Sequence, residues 1–257
     1  MTHMTHTGEV PFASSVERAF RIAYWTLRLG GRPRPDCVPE IIVSRKLGFM
    51  CAAIPLCGSR TLKNFLLTNP NFDFEAILLR EPIPNALRLK NGADKTLLLG
   101  VVRSPWSRVV SCYEKKVRGA FISRSYRGYK GAALIAGYHG LCPSMSFDEF
   151  VEWLCDERGQ DDVANRHWMS QHKFLSLPDA GHRYTGILRL ESLERDLNEF
   201  LSRLGVQHLA LPKTNSSATT ASGRLYAATK EYYTPRTINA VGDRYARDIE
   251  LFGYDFG

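Results

Sequence analysis

The chain has 257 residues, 44% apolar and 23% charged, an ordinary balance for a folded domain that excludes disorder throughout. Basic residues outnumber acidic ones 34 to 26, a formal charge of +8 that favours anionic ligands. The longest apolar runs, such as Leu97–Val102, are far shorter than the roughly 18 residues of a spanning helix, which argues against an integral membrane protein.

Met1–Val10 is polar and lacks the apolar stretch of a secretion signal. His3 and His6 lie in a repetitive Met-Thr-His start that reads as a tail. Phe12–Leu29 reads as a helix with Phe12, Val16, Phe20, Ala23 and Leu27 on one side and Arg18, Arg21 and Arg28 on another. Such a helix suits docking on its own domain, and residues 12–29 also offer a surface for peripheral membrane contact. Gly30, Gly31, Pro33 and Pro35 end it. Residues 1–36 are therefore set apart as an N-terminal tail and amphipathic helix, and 37–257 as a single α/β domain.

Phe49–Ile54 is a short apolar run that predicts a buried parallel strand. A turn over Pro55–Arg60 follows, and then a helix over about Thr61–Thr68. Thr96–Val102 predicts a second buried strand, stopped by Arg103-Ser104-Pro105, with a helix over Trp106–Val117. Gly119–Gly140, rich in Gly, Tyr and basic residues, reads as a loop or lid. Ser146 with Glu149 three residues on is a capping-box signature and opens a helix over Phe147–Cys155. Thr185–Leu190 and Leu193–Leu204 form another strand–helix pair, ended by Gly205, and a last long helix spans about Thr234–Leu251. Strands alternating with helices predict an α/β domain with a mainly parallel sheet.

The charge is uneven. Arg103 to Lys130 holds eight Lys/Arg and only Glu114 as an acid, whereas Asp148 to Asp162 holds seven acids and only Arg158. A basic block suits nucleotide phosphates, an acidic polymer, nucleic acid or a lipid surface, and also suits a solvated helix face. The six cysteines form no Cys-x-x-Cys pair and no zinc spacing, so they read as reduced, mostly buried thiols of a reducing compartment, and no metal site is expected.

A strand that runs into a small-residue turn and then a helix can bind an anion, because backbone N–H groups converge where the helix terminus adds partial positive charge. Ile54–Lys63 has that layout, with Ser59 and Thr61 as hydroxyl donors and Arg60 or Lys63 as a full charge. It is not Gly-x-x-x-x-Gly-Lys-Ser/Thr, so it is not a nucleoside-triphosphate loop. Arg103 closes the second strand, and Ser111 lies eight residues on in the following helix. An arginine fork and a serine hydroxyl suit a second phosphate.

The segment Ile54-Pro55-Leu56-Cys57-Gly58-Ser59-Arg60-Thr61-Leu62-Lys63 resembles the 5′-phosphosulfate loop of sulfotransferases, and Val102–Tyr113 resembles their 3′-phosphate motif. Ser146–Val151, Asn165–Gln171 with its His-Trp-x-x-Gln pattern, Gly186–Leu193, and Tyr245–Tyr254 resemble further segments of the carbohydrate sulfotransferases of the Golgi type (sulfotransferase family 2) and their bacterial relatives. The likeness runs over about residues 47–255.

The resemblance implies a P-loop-type three-layer α/β fold, a central mainly parallel sheet flanked by helices. It implies sulfuryl transfer from 3′-phosphoadenosine 5′-phosphosulfate (PAPS), with adenosine 3′,5′-bisphosphate (PAP) as product and no metal, to a hydroxyl of a saccharide or similar small acceptor. Donor-binding positions implied by it are Cys57, Gly58, Ser59, Arg60, Thr61, Arg103, Ser111 and Arg224, the last near Asn215-Ser216-Ser217. Many sulfotransferases carry a lysine in the first loop where this chain has Leu56, so Arg60 or Lys63 is left to assist the leaving phosphate. His167 is the candidate base, beside His172 and Glu114. Tyr113, Tyr126, Tyr129 and Tyr138 suit either sugar stacking or packing, and Gly119–Pro143 is the expected acceptor loop. The expected location is cytoplasmic, and an anionic polymer is an alternative partner.

Three other readings stand beside this one: a slow or non-catalytic nucleotide- or polyanion-binding relative, a nucleic-acid module, and a kinase-like phosphotransferase. No RNA- or DNA-binding motif supports the second, and the third lacks a lysine-bearing triphosphate loop.

Overall fold

A computed structural model describes residues 39–44, 46–68, 74–78, 97–118, 137–176, 184–207, 210–211 and 229–257. Strand β1 (Glu40–Ser44) pairs antiparallel with β2 (Phe49–Ala53), Glu40 opposite Ala53 and Ser44 opposite Phe49. Gly48, at φ +69°, makes the tight return, and the Leu47 N–H donates to Ser44 Oγ at 3.1 Å. Helix α1 (Ser59–Thr68) follows β2, and β3 (Phe74–Leu78) then pairs antiparallel with β1. Strands β4 (Leu97–Val102) and β5 (Tyr184–Arg189) add parallel pairings on the other side, giving the order β3-β1-β2-β4-β5. Because β1 opposes both β2 and β3, those two run the same way, and four of the five strands share one direction. The predicted mainly parallel sheet is borne out, with β1 as the reversed strand. Neither β1 nor β3 is announced by the sequence reading. An antiparallel neighbour needs only a short turn, so no intervening helix marks it.

The sheet is covered on both faces, which gives the three expected layers. Ile42, Phe49, Cys51, Ala53, Leu99 and Val101 pack against Leu62, Phe65 and Leu66 of α1. Leu193, Leu197, Phe200 and Leu201 of α5 (Leu193–Arg203) join the same cluster. On the opposite face Ile41, Val43, Met50, Ala52 and Leu98 meet α2 (Pro105–Cys112) and α3 (Phe147–Cys155). Every residue of α2 is buried, and Pro105 sits at its first turn, where a missing N–H costs nothing. The helix continues over Tyr113–Arg118 as a wider π-helical turn. The capping box on α3 forms as its sequence predicts: the Glu149 N–H donates to Ser146 Oγ at 3.3 Å, and the Ser146 N–H to the Glu149 carboxylate at 2.7 Å.

The expected last helix is two. Between the four-residue α4 (Gln171–Phe174) and the carboxyl terminus, α6 (Pro235–Arg244) and α7 (Ala246–Phe252) are separated at Tyr245, with φ −114° and ψ 24°. The Tyr245 ring is buried, lies 4.8 Å from the Arg244 guanidinium, and its hydroxyl donates to the Trp168 carbonyl. The helical backbone bonds continue across it, the Tyr245 N–H donating to the Val241 carbonyl and the Ile249 N–H to the Tyr245 carbonyl, each at 3.0 Å. Past the break, Asp248 is fully buried.

Cys51, Cys57 and Cys112 are buried free thiols pushed up to about 12 by burial, Cys155 is half-buried, and Cys142 is exposed. Among the described residues no helix is long and apolar enough to cross a membrane. The predicted helix over Phe12–Leu29, residues 119–136 of the predicted lid, Cys37, Tyr126, Tyr129, Asn215–Ser217 and Arg224 lie outside the described residues.

Candidate anion-binding site

The three parallel strands β2, β4 and β5 end at one edge of the sheet, where open α/β sheets bind their ligands. After β2 the chain turns through Pro55–Gly58. The Cys57 N–H donates to the Ile54 carbonyl at 3.2 Å, and Leu56 and Gly58 take left-handed conformations at φ +68° and +74°. A Cβ on Gly58 would lie 2.4 Å from Leu190 Cδ1 and would strain a left-handed backbone, so the turn favours glycine there. The first helical bond of α1 runs from the Leu62 N–H to the Gly58 carbonyl at 3.0 Å. The N–H groups of Gly58, Ser59, Arg60 and Thr61 therefore donate to nothing among the described residues. No acid occupies the first turn of α1 to compete for them.

The second group is built after β4. Arg103 is 8% exposed, and its Nη1 donates to Ser111 Oγ at 2.6 Å and to the Leu56 carbonyl at 3.2 Å. Arg103 and Ser111, read from the sequence as two contacts to one phosphate, are thus brought into contact with each other, and the same guanidinium reaches the first turn. Burial lowers the Arg103 pKa, and the nearby Cys57 thiol and Glu191 carboxylate oppose that shift. Arg103 makes no ion pair among the described residues. Glu191 instead accepts from the Ser104 N–H at 2.9 Å and from the Tyr254 hydroxyl at 3.1 Å.

Other cations gather here. Arg60 is exposed and has no carboxylate partner among the described residues. Burial lowers the Lys115 pKa, helped by repulsion from Arg103, Arg60 and Lys116. Lys116 is lowered by burial too, with Arg60 adding to the shift. Glu114, the acid of this π-helical turn, is engaged elsewhere: it accepts from the Tyr232 hydroxyl at 2.8 Å and from Arg118 at 3.0 Å. Among the described residues Lys115 and Lys116 make no ion pair. Lys63 is engaged elsewhere: its Nζ donates to Glu40 Oε2 at 2.7 Å on β1, two strands from the β4 that leads into Arg103.

The His-Trp-x-x-Gln segment is tied to the site through Gln171 and Arg108. His167 Nδ1 lies 2.6 Å from Asn165 Oδ1, so Nδ1 carries the proton and the Nε2 lone pair is left to accept one. Burial, with the charges of Lys116, Arg166 and Arg108, pushes its imidazole down to about 3. Trp168 is core, against Trp153 and Tyr138. Tyr113 is core as well, stacked on Phe150 with its hydroxyl donating to the Met145 carbonyl at 2.8 Å. His172 donates from Nδ1 to Asp248 Oδ1 at 2.7 Å.

Arg108, counted in the sequence only as part of a basic block, is 2% exposed. It donates to the carbonyls of Pro55, Met169 and Arg166 at 3.2, 2.6 and 3.2 Å, joining the first turn to the His167 segment. Lys115, Lys116 and Arg108 were legible as charge, and nothing local in the sequence says which of them face the turn. Among the described residues no cluster of His, Cys, Asp or Glu has the arrangement of a metal site.

Two adjacent groups of hydrogen-bond donors lie at the carboxyl edge of the parallel strands of an α/β protein, the place where such sheets bind ligands. Residues 39–255 match the sulfotransferase family, so the chain belongs to that family, in the group that the sequence resembles. Sulfuryl transfer is the chemistry of the family. No curated protein and no solved structure matches the chain.

Proposed function

We propose that the chain transfers a sulfuryl group from PAPS to a hydroxyl of a carbohydrate or similar acceptor, with residues 37–257 as the catalytic domain and a cytoplasmic location. The observation that carries this reading is the pair of anion groups: the open N–H groups of Gly58–Thr61 and the buried Arg103–Ser111 couple, both adjoining the turn after β2. A nucleotide with separated 5′ and 3′ anionic groups matches that pair in number and sign of charge. The residues fit the donor, since the N–H groups of the turn are open and the arginine has no carboxylate partner among the described residues.

When bound, PAPS supplies an activated sulfuryl group whose S–O bond to the 5′-phosphate breaks as the acceptor oxygen bonds to sulfur. The chain's part is to hold both ends and offset the charge that collects on the leaving phosphate. In this reading the Gly58–Thr61 amides receive the 5′ end, and Arg103 with Ser111 receives the 3′-phosphate. Leu56 can donate nothing, and Lys63 is occupied by Glu40. The charge for the leaving phosphate is therefore assigned to Arg60 and Lys115; Lys115 is near enough to both Arg60 and Arg103 to feel their repulsion. His167 Nε2 takes the proton of the acceptor hydroxyl. A bound anion offsets the Lys116, Arg166 and Arg108 charges that depress its pKa, so the donor itself makes the base stronger.

Leu56 also favours a second reading, a slow or non-catalytic relative that binds the nucleotide and transfers little. Single-turnover transfer from radiolabelled PAPS to a panel of mono- and oligosaccharides and small phenols separates the two. Label on an acceptor at a rate abolished by Arg103→Ala supports the enzyme. Tight PAP binding with no labelled acceptor leaves the second reading.

A further inference from the structure

Gln171 is fully buried and makes all of its side-chain contacts to the two anion groups rather than to its own neighbours. Its Oε1 accepts from the Arg103 N–H at 2.8 Å and from the Cys57 thiol at 3.0 Å. Its Nε2 donates to the Arg103 carbonyl at 2.8 Å. One amide therefore grips both backbone groups of the residue that ends β4 and the residue at the centre of the turn after β2. Each contact crosses 68 or 114 residues of sequence.

Gln171 is itself fixed from behind. Asp248, fully buried on α7, accepts from the Gln171 N–H at 2.7 Å through Oδ2. Its Oδ1 accepts from the His172 N–H at 2.9 Å and from His172 Nδ1 at 2.7 Å. A carboxylate at the start of α4 thus sets the direction from which the Gln171 side chain leaves. The result is one hydrogen-bonded line, Asp248 to Gln171 to both anion groups. A buried amide with both its oxygen and its nitrogen engaged is held in place, since each alternative rotamer breaks these bonds and leaves polar groups unpaired.

We propose that Gln171 is a positioning residue that fixes the separation of the Cys57 turn and the Arg103 strand end, so that the two anion groups bind one two-headed ligand together better than either binds alone, with Asp248 holding Gln171 in place. The proposal rests on the nucleotide reading above, and it concerns the coupling between the two groups rather than the strength of either. Gln171 need not touch the ligand, because its polar atoms are consumed by the protein.

The test measures that coupling by calorimetry with adenosine 3′,5′-bisphosphate, adenosine 5′-monophosphate and adenosine 3′-monophosphate. The coupling is the bisphosphate affinity divided by the product of the two monophosphate affinities. For Gln171→Leu each monophosphate affinity is expected to stay within about twofold of wild type, while the bisphosphate affinity falls about tenfold or more. Gln171→Glu keeps the acceptor oxygen for the Arg103 N–H and Cys57 but sets a second oxygen against the Arg103 carbonyl, so it is not expected to restore the coupling. A merely structural role predicts another pattern: a lower Tm with all three affinities moving by one common factor. That pattern, or an unchanged coupling in Gln171→Leu, overturns the proposal.

Where Gln171→Leu does not fold, Cys57→Ala decides, because it removes a single thiol donor from Oε1. It is expected to lower the coupling about threefold with little change in Tm, and an unchanged coupling overturns the proposal. A wild-type protein that binds the bisphosphate no better than the monophosphates overturns the nucleotide reading itself. Coupling in the wild type that persists in the variants overturns only the role of Gln171.

Discussion

The two anion groups solve one problem in opposite ways. The turn after β2 offers backbone: four open N–H groups at the start of α1, with Leu56 where many sulfotransferases place a lysine. The end of β4 offers a full charge, a nearly buried guanidinium positioned by Ser111 and by the Leu56 carbonyl. Backbone amides are placed by the fold and cannot be removed by a point substitution, but each carries only partial charge. A buried arginine carries a whole charge, and its geometry depends on every partner that holds it. The difference predicts that side-chain substitutions at the second group change affinity strongly. At the first group the vulnerable features are the conformation of Gly58 and the borrowed cations around it.

The largest expected effect is at the charge-rich end. Arg103→Ala removes a charged hydrogen-bond donor worth about 1.5–3 kcal/mol, so PAP affinity should fall by about one to two decades in calorimetry. Adenosine 5′-monophosphate should lose far less. Equal losses for both nucleotides would break the division of labour between the two groups.

The next effect is one of pH. His167 is held neutral in the folded protein down to about 3, against an ordinary value of 6.5. Between those values the unfolded chain binds the proton and the folded chain does not, so stability falls as pH drops below 6.5. At pH 5 the loss from this group amounts to about 2 kcal/mol. Urea titrations at pH 7 and pH 5 should show that difference, and His167→Gln should shrink it. Saturating PAP should shrink it as well, because a bound anion offsets the cations that depress the imidazole. An equal pH dependence with and without PAP would contradict the placement of His167 beside the anion site.

Smaller still is the contrast between two lysines. Lys115→Ala should lower kcat about tenfold with little change in PAP affinity, as expected for charge that acts on the leaving phosphate. Lys63→Ala should leave kcat unchanged and cost at most about 1 kcal/mol of stability, the range of a partly exposed ion pair, because its partner is Glu40. A rate loss confined to Lys63→Ala would return the role to Lys63.

These contrasts also mark what the sequence could disclose. The strand–turn–helix at residues 49–68 was legible, because a parallel strand buried on both faces reads as an uninterrupted apolar run. The Ser146 cap was legible because its hydrogen bonds close over three residues. The Arg103–Ser111 pair was legible as a spacing, since both lie on one strand-to-helix connection. Strand β1 was missed because a hairpin neighbour carries no crossover helix to announce it. The roles of Lys63, Arg108 and Gln171 were hidden for a different reason: each is set by partners 23 to 114 residues away, on other elements. The break at Tyr245 carries no Gly or Pro to announce it, and the buried ring's bond to the Trp168 carbonyl spans 77 residues.

The central claim is that the two groups form one site for a ligand with two anionic ends, and the direct test is a calorimetric titration of wild type and Ser111→Ala with PAP and with adenosine 5′-monophosphate. The account predicts that wild type binds PAP at least about tenfold more tightly than the monophosphate, and that Ser111→Ala closes most of that gap while leaving the monophosphate nearly unchanged. Equal affinity of the wild type for the two nucleotides, or equal losses for both in Ser111→Ala, would contradict it.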